Sequence, residues 1–102
     1  MEMITVTENE KEGVVTIAPR KRFDFGAHRK FRESYKNKKG TVSRYVIDMK
    51  EVEYIDSSAL GMMLLLREHA TANKGVVVIA YCKPEIRKIL AIANFDRLFE
   101  IK

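Results

Sequence analysis

Two short β-branched stretches, MITVT at residues 3–7 and VVTIAP at 14–19, flank the polar segment ENEKEG. That alternation predicts a β-hairpin whose second strand closes at Pro19. From 27 to 38 the apolar residues fall at Ala27, Phe31 and Tyr35 with Lys and Arg between them, which predicts a basic amphipathic helix ended by NKKG. RYVIDM, residues 44–49, is apolar enough for a buried strand, and KEVEYIDSS then reads as a connection. Residues 59–73, rich in Leu, Met and Ala, predict a second helix stopped near Gly75. VVVIAYC at 76–82 is too short and too β-branched for a helix and reads as a second buried strand. Beyond it, Pro84 opens a helix with Ile86, Ile89, Leu90 and Ala93 on one face, Asn94 as its cap, and RLFEIK as a final short strand.

Strand, helix, strand in the second half makes a βαβ unit with parallel, buried strands. Together with the hairpin this predicts an α/β fold: a mixed sheet of four to five strands packed with about three α-helices. The 102 residues, 46% hydrophobic and 32% charged, fit one domain spanning 1–102. The longest apolar run, Ala59 to Leu66, is far short of the roughly 20 residues that cross a membrane. With no basic leader or Arg-rich transit segment at the N-terminus, the expected location is cytoplasmic. The lone Cys82, at the end of an apolar run, reads as a small buried hydrophobe.

The net charge of +5 is unevenly spread. Residues 20–44 hold ten Lys or Arg against Asp24 and Glu33, a local balance of +8, and leave the remainder at −3. Phe23, Phe25, Phe31 and Tyr35 form no base-stacking motif, and Phe31 with Tyr35 has the spacing of one buried helix face. Direct nucleic-acid binding is therefore not expected, and an acidic protein partner is at least as good an explanation of the segment.

Within YIDSSALGMM, the segment DSS lies where the chain enters the βαβ helix, at the sheet end where ligands and chemistry gather in open α/β folds. Ser57 or Ser58 could cap that helix, and Asp24 and Asp56 also have the chemistry of caps. Capping explains one serine and leaves open a functional hydroxyl on the other. Gly61 lowers helix propensity, so it implies a close backbone approach, first by the core and second by a partner. The run from Met62 to Leu66 cannot all lie on one helix face, so some of these side chains must face outward as a docking patch. Enzyme chemistry is not indicated. DSSAL lacks the G-x-S-x-G turn, His28 and His69 lie on helices without metal-binding companions, and no phosphate-cradling glycine loop occurs, so no catalytic residue, metal or cofactor is expected.

YVIDMKEVEYIDSSALGMMLLL resembles the signature of the STAS domain of bacterial anti-sigma factor antagonists, in which an apolar strand and short loop lead to Asp-Ser-Ser, a small residue, Leu and Gly. RFD with Asp24 and the PEIRKIL helix agree with the same order of elements, over roughly residues 3–101. The resemblance is nearest to stand-alone proteins of partner-switching pathways. It implies that Ser58, with Ser57 as the alternative, accepts phosphate from a switch serine kinase that is itself an anti-sigma factor or a related protein. A PP2C-type serine phosphatase resets it. The unphosphorylated form binds the partner and phosphorylation releases it. On this view Asp24, Asp56 and Ser57 surround the phosphosite. Ala59, Gly61, Met62 and Met63 meet the partner, and the free protein is a monomer. STAS domains also serve without phosphorylation as scaffold subunits of membrane transport complexes, including lipid ABC systems, and this is the alternative function. Two departures from the sporulation members stand out: Ala59 occupies a position often held by Gly, and the chain stops at Lys102 with no room for an extra C-terminal helix.

Overall fold

The computed structural model describes residues 4–38 and 40–102. Strands β1 (Ile4–Asn9) and β2 (Val14–Pro19) form the expected antiparallel hairpin, with Ile4 opposite Pro19 and Asn9 opposite Val14. β3 (Lys21–Phe23) leads through a 3-10 turn, Phe25–Ala27, into α1 (His28–Glu33). Next along the chain come β4 (Arg44–Asp48), β5 (Val52–Ile55), α2 (Ser57–Ala72), β6 (Val76–Ala80), α3 (Pro84–Ile92) and β7 (Glu100–Ile101). A second 3-10 turn, Phe95–Arg97, joins α3 to β7.

Five strands form one mixed sheet in the order β1-β2-β4-β6-β7, with only the β1–β2 pair antiparallel. The βαβ reading holds, since β4 and β6 run parallel from Arg44 opposite Val76 to Asp48 opposite Ala80. Alternate residues Val15, Ile17, Tyr45, Ile47, Val77 and Ile79 join the core cluster with Phe31 of α1, Met63 and Leu66 of α2 and Leu90 of α3. Period-2 alternation on the strands thus meets a 3.6-residue stripe on the helices. α2 lies on β6 and beside α1, while α3 contacts β5.

β3 and β5 depart from the sequence pattern, in which both look like connection. They pair parallel as a separate two-stranded sheet. Lys83 ties this sheet to the start of α3, its Nζ donating to the Lys50 carbonyl at 2.8 Å and to that of Val52 at 3.4 Å. The predicted helix over 27–38 is also shorter, because the Phe25–Ala27 turn starts it and regular helix ends at Glu33. At the end of α2, Lys74 rather than Gly75 takes the left-handed backbone (φ 65°). Gly75 has a different reason: a Cβ there would lie 2.9 Å from the Val42 carbonyl oxygen. After α3, Asn94 (φ 62°) supplies the left-handed residue expected of a helix end.

Cys82 is half-buried against the core, and burial, partly offset by Arg87, pushes its thiol pKa up. A thiol of that kind is a poor nucleophile. His69 Nε2 lies 2.7 Å from the Lys38 carbonyl oxygen, with the rings of Tyr35 and Tyr45 beside it.

Candidate functional site

The β3–β5 pair builds the site. Arg22 stands opposite Tyr54 and Phe23 opposite Ile55, so the buried pair Phe23 and Ile55 anchors the small sheet and the preceding pair faces solvent. Arg22 lies over the Tyr54 ring, its guanidinium carbon 4.2 Å from the centroid. Carrying the parallel register one step on sets Asp24 beside Asp56, each at the point where a strand turns into a helix. Both aspartates have extended backbone, and each caps the helical turn immediately C-terminal to it. Asp24 Oδ1 accepts from the Gly26 N–H at 3.0 Å, and Asp56 Oδ1 accepts from the Ala59 N–H at 3.0 Å. Arg22 Nε bridges to Asp24 Oδ2 at 3.3 Å.

With Asp56 as the cap of α2, neither serine has that duty. This corrects the expectation that Ser57 or Ser58 caps the helix: the chain leaves extended geometry at Asp56, which makes Ser57 and Ser58 the first two helical residues. Ser57 is exposed and Ser58 half-buried. Among the described residues neither hydroxyl has a hydrogen-bond partner. The N–H groups of Ala59 and Leu60 bond back to Asp56, whereas those of Ser57 and Ser58 are among the unpaired amides of a helix start. Such a position favours an anion through the helix dipole and free donors together.

The docking residues expected on α2 divide. Ala59, Met62 and Met63 face inward and are essentially inaccessible, Met63 at 0%, because they share with Leu66 and Ala70 the stripe that packs on the sheet. They are core and not contact surface, which corrects their assignment to a partner. The premise that the run must expose some apolar side chain holds for Leu65, 51% exposed. Gly61 is also exposed, and a Cβ built there would meet nothing within 4 Å. Its own core therefore does not require glycine. The outward face of α2 runs along Ser57, Gly61 and Leu65 at i, i+4, i+8.

Three residues of the surface are not evident from the sequence pattern. Arg22 and Tyr54 sit on strands too short to show a period, and Phe25, 68% exposed, comes directly after Asp24, its ring stacked on His28 at 5.5 Å between centroids. The alternation of Arg22, Phe23 and Asp24 against Tyr54, Ile55 and Asp56 is the signal that could have found them.

Residues 5–102 match the family model described as the STAS domain. A STAS-domain containing protein of Pseudomonas aeruginosa (strain UCBPP-PA14) is 53% identical over 87 residues, covering 85% of this chain and 86% of that one. The unphosphorylated form of the anti-sigma factor antagonist SpoIIAA superposes with a TM-score of 0.73 at 17% identity, covering 97% of this chain and 86% of that one. Its phosphorylated form, from Bacillus, gives 0.68 at 16% identity over 97% and 90%. A sulfate transporter family protein from Wolinella succinogenes gives 0.78 at 15% identity, covering 87% and 75%. The fold is thus that of SpoIIAA, found also in a transporter family protein, and the chain belongs to the STAS-domain family.

Proposed function

We propose that this protein is an anti-sigma factor antagonist of the partner-switching kind, with Ser58 as its phosphate acceptor. The observation that carries the reading is the assignment of the α2 cap to Asp56, which leaves the Ser58 hydroxyl unengaged at a helix start two residues after that carboxylate. SpoIIAA, whose fold this chain shares, exists in unphosphorylated and phosphorylated forms.

Phosphorylation would add about −1.5 to −2 charges to a surface that already holds Asp24 and Asp56. Within the domain, the first-turn amides and the α2 dipole offset that charge. In a complex they do not suffice. A partner lying over Ser58, Gly61 and Leu65 would bury the phosphate without a matching cation, and the cost of desolvating it favours release. The unphosphorylated protein then holds the anti-sigma factor or switch kinase, the phosphorylated one lets go, and a PP2C-type phosphatase restores binding. This chain transfers no phosphate itself and works in the cytoplasm.

Incubation of the wild type, Ser57→Ala and Ser58→Ala with ATP and extract of the native cells, followed by mass spectrometry, tests the site. The expected result is one phosphate, lost only in Ser58→Ala. Loss only in Ser57→Ala moves the acceptor by one residue. Absence of phosphate from all three favours the scaffold role in a membrane transport complex, the reading supported by the fold shared with the Wolinella protein.

A further inference from the structure

We propose that the outward face of α1 is a second docking surface, which receives an acidic segment of a protein partner and uses Phe25 as its apolar anchor. Arg29, Arg32 and Lys36 fall at i, i+3 and i+7, and the helical turn persists to the last of them, since Lys36 N–H donates to the Arg32 carbonyl at 3.0 Å. That spacing lines them along one side of the helix, opposite the buried Ala27, Phe31 and Tyr35. All three are exposed, and among the described residues their side chains form no ion pair. Neighbouring cations differ: Arg22 bridges to Asp24, and Lys38 Nζ lies 2.7 Å from Glu8. Glu33, the one acid of α1, lines a cleft with Ile4, Val6, Lys30, Ser34 and Lys38.

Glu33 stands four residues after Arg29 and three before Lys36 but forms no ion pair with either among the described residues, so the like charges of the row repel and do not serve the stability of α1. It presents a concentrated positive field to an outside anion. Phe25 stands at the entrance to the same helix, 68% exposed and held flat against His28 with 17° between the ring planes. A rigid exposed aromatic beside arginines is the composition of an interface hot spot. The footprint favours a protein over nucleic acid. From Arg29 to Lys36 the row spans about 11 Å, and Phe25 extends the surface to about 16 Å, the length of a short peptide segment. The Asp24 and Asp56 carboxylates lie beyond its start, so an anion longer than the row meets like charge there. A short acidic stretch of polypeptide with an apolar side chain for Phe25 fits both size and charge. This surface operates whether or not Ser58 carries phosphate.

The test is titration of the isotopically labelled full chain, at low salt, with a synthetic peptide of about five Asp and Glu residues around a central Leu-Phe pair, followed by amide chemical shifts. A single-stranded DNA oligonucleotide of equal charge runs in parallel. The expected result is shifts confined to residues 25–36 and tighter binding of the peptide than of the oligonucleotide. The combined variant R29E/R32E/K36E should weaken the peptide at least about tenfold, and Phe25→Ala several-fold. If the charge-reversed variant does not fold, R29Q/R32Q/K36Q gives the same readout with little change in helix propensity. Three outcomes overturn the proposal: no peptide binding at low salt, shifts elsewhere that survive the substitutions, or tighter binding of the oligonucleotide.

Discussion

Removal of the Asp56 carboxylate takes away the acceptor that holds the Ala59 N–H at 3.0 Å, whereas removal of either serine hydroxyl breaks no hydrogen bond among the described residues. Asp56→Ala is therefore expected to cost about 1 kcal/mol in urea unfolding, the usual value of an N-cap. Ser57→Ala and Ser58→Ala should stay within about 0.5 kcal/mol of wild type. Equal losses in all three would show the cap to be shared and would weaken the separation of Ser58 for another use. The sequence could not make this separation, because Asp and Ser are both good caps and three of them stand in a row. Only the point at which the backbone leaves extended geometry decides among them, and that point is set by the end of β5, a strand too short to recognise in advance.

At the scale of elements, α2 was legible in position but not in phase. An uninterrupted run from Ala59 to Leu66 hides the stripe, and the inward side becomes identifiable only once Ala59, Met62, Met63, Leu66 and Ala70 are seen against the sheet. The hairpin, β4, β6 and α3 were readable because each is long or strongly patterned. β3 and β5 were not, since each is too short to show a period and reaches the core through its end residues, Phe23 and Ile55. Gly61 yields a prediction that belongs to the helix as a whole. It occupies the exposed middle of α2, where nothing lies within 4 Å of a Cβ, so Gly61→Ala should raise the unfolding free energy by about 0.5–1 kcal/mol. The same methyl stands on the face proposed to meet the partner, and it should weaken that complex while stabilising the free protein. Stabilisation with unchanged partner affinity would remove Gly61 from the interface.

For the whole molecule, pH is a lever on the core. Burial foremost, with Glu8 and Tyr35 adding to it, raises the Tyr45 pKa to about 12. An unfolded tyrosine ionises near about 10, so the fold favours the protonated form. Its contribution is complete below about pH 10 and is lost as the pH rises from about 10 to about 12, because the folded state binds more protons across that window. Thermal melts through the window, with phenolate absorbance recorded in parallel, should show the midpoint falling as a late-titrating tyrosine ionises. A midpoint that holds steady or rises would contradict the burial of this hydroxyl. Tyr45 lies in β4, a strand readable from its apolar run, whereas its inward side and its closeness to Glu8 and Tyr35 depend on the packing of distant segments, which the sequence did not display.

Among the described residues no ladder hydrogen bond joins the β3–β5 pair to the five-stranded sheet. The strands that lead into Asp24 and Asp56 are therefore held through side-chain packing, with Phe23, Val52 and Ile55 in the same core cluster as Ile17 and Ile47 of the main sheet. A two-stranded ladder of this length is marginal alone and survives through Phe23 and Ile55 beneath it. A substitution on the exposed side of this ladder, at Arg22 or Tyr54, therefore alters the site without removing a hydrogen bond from the main sheet.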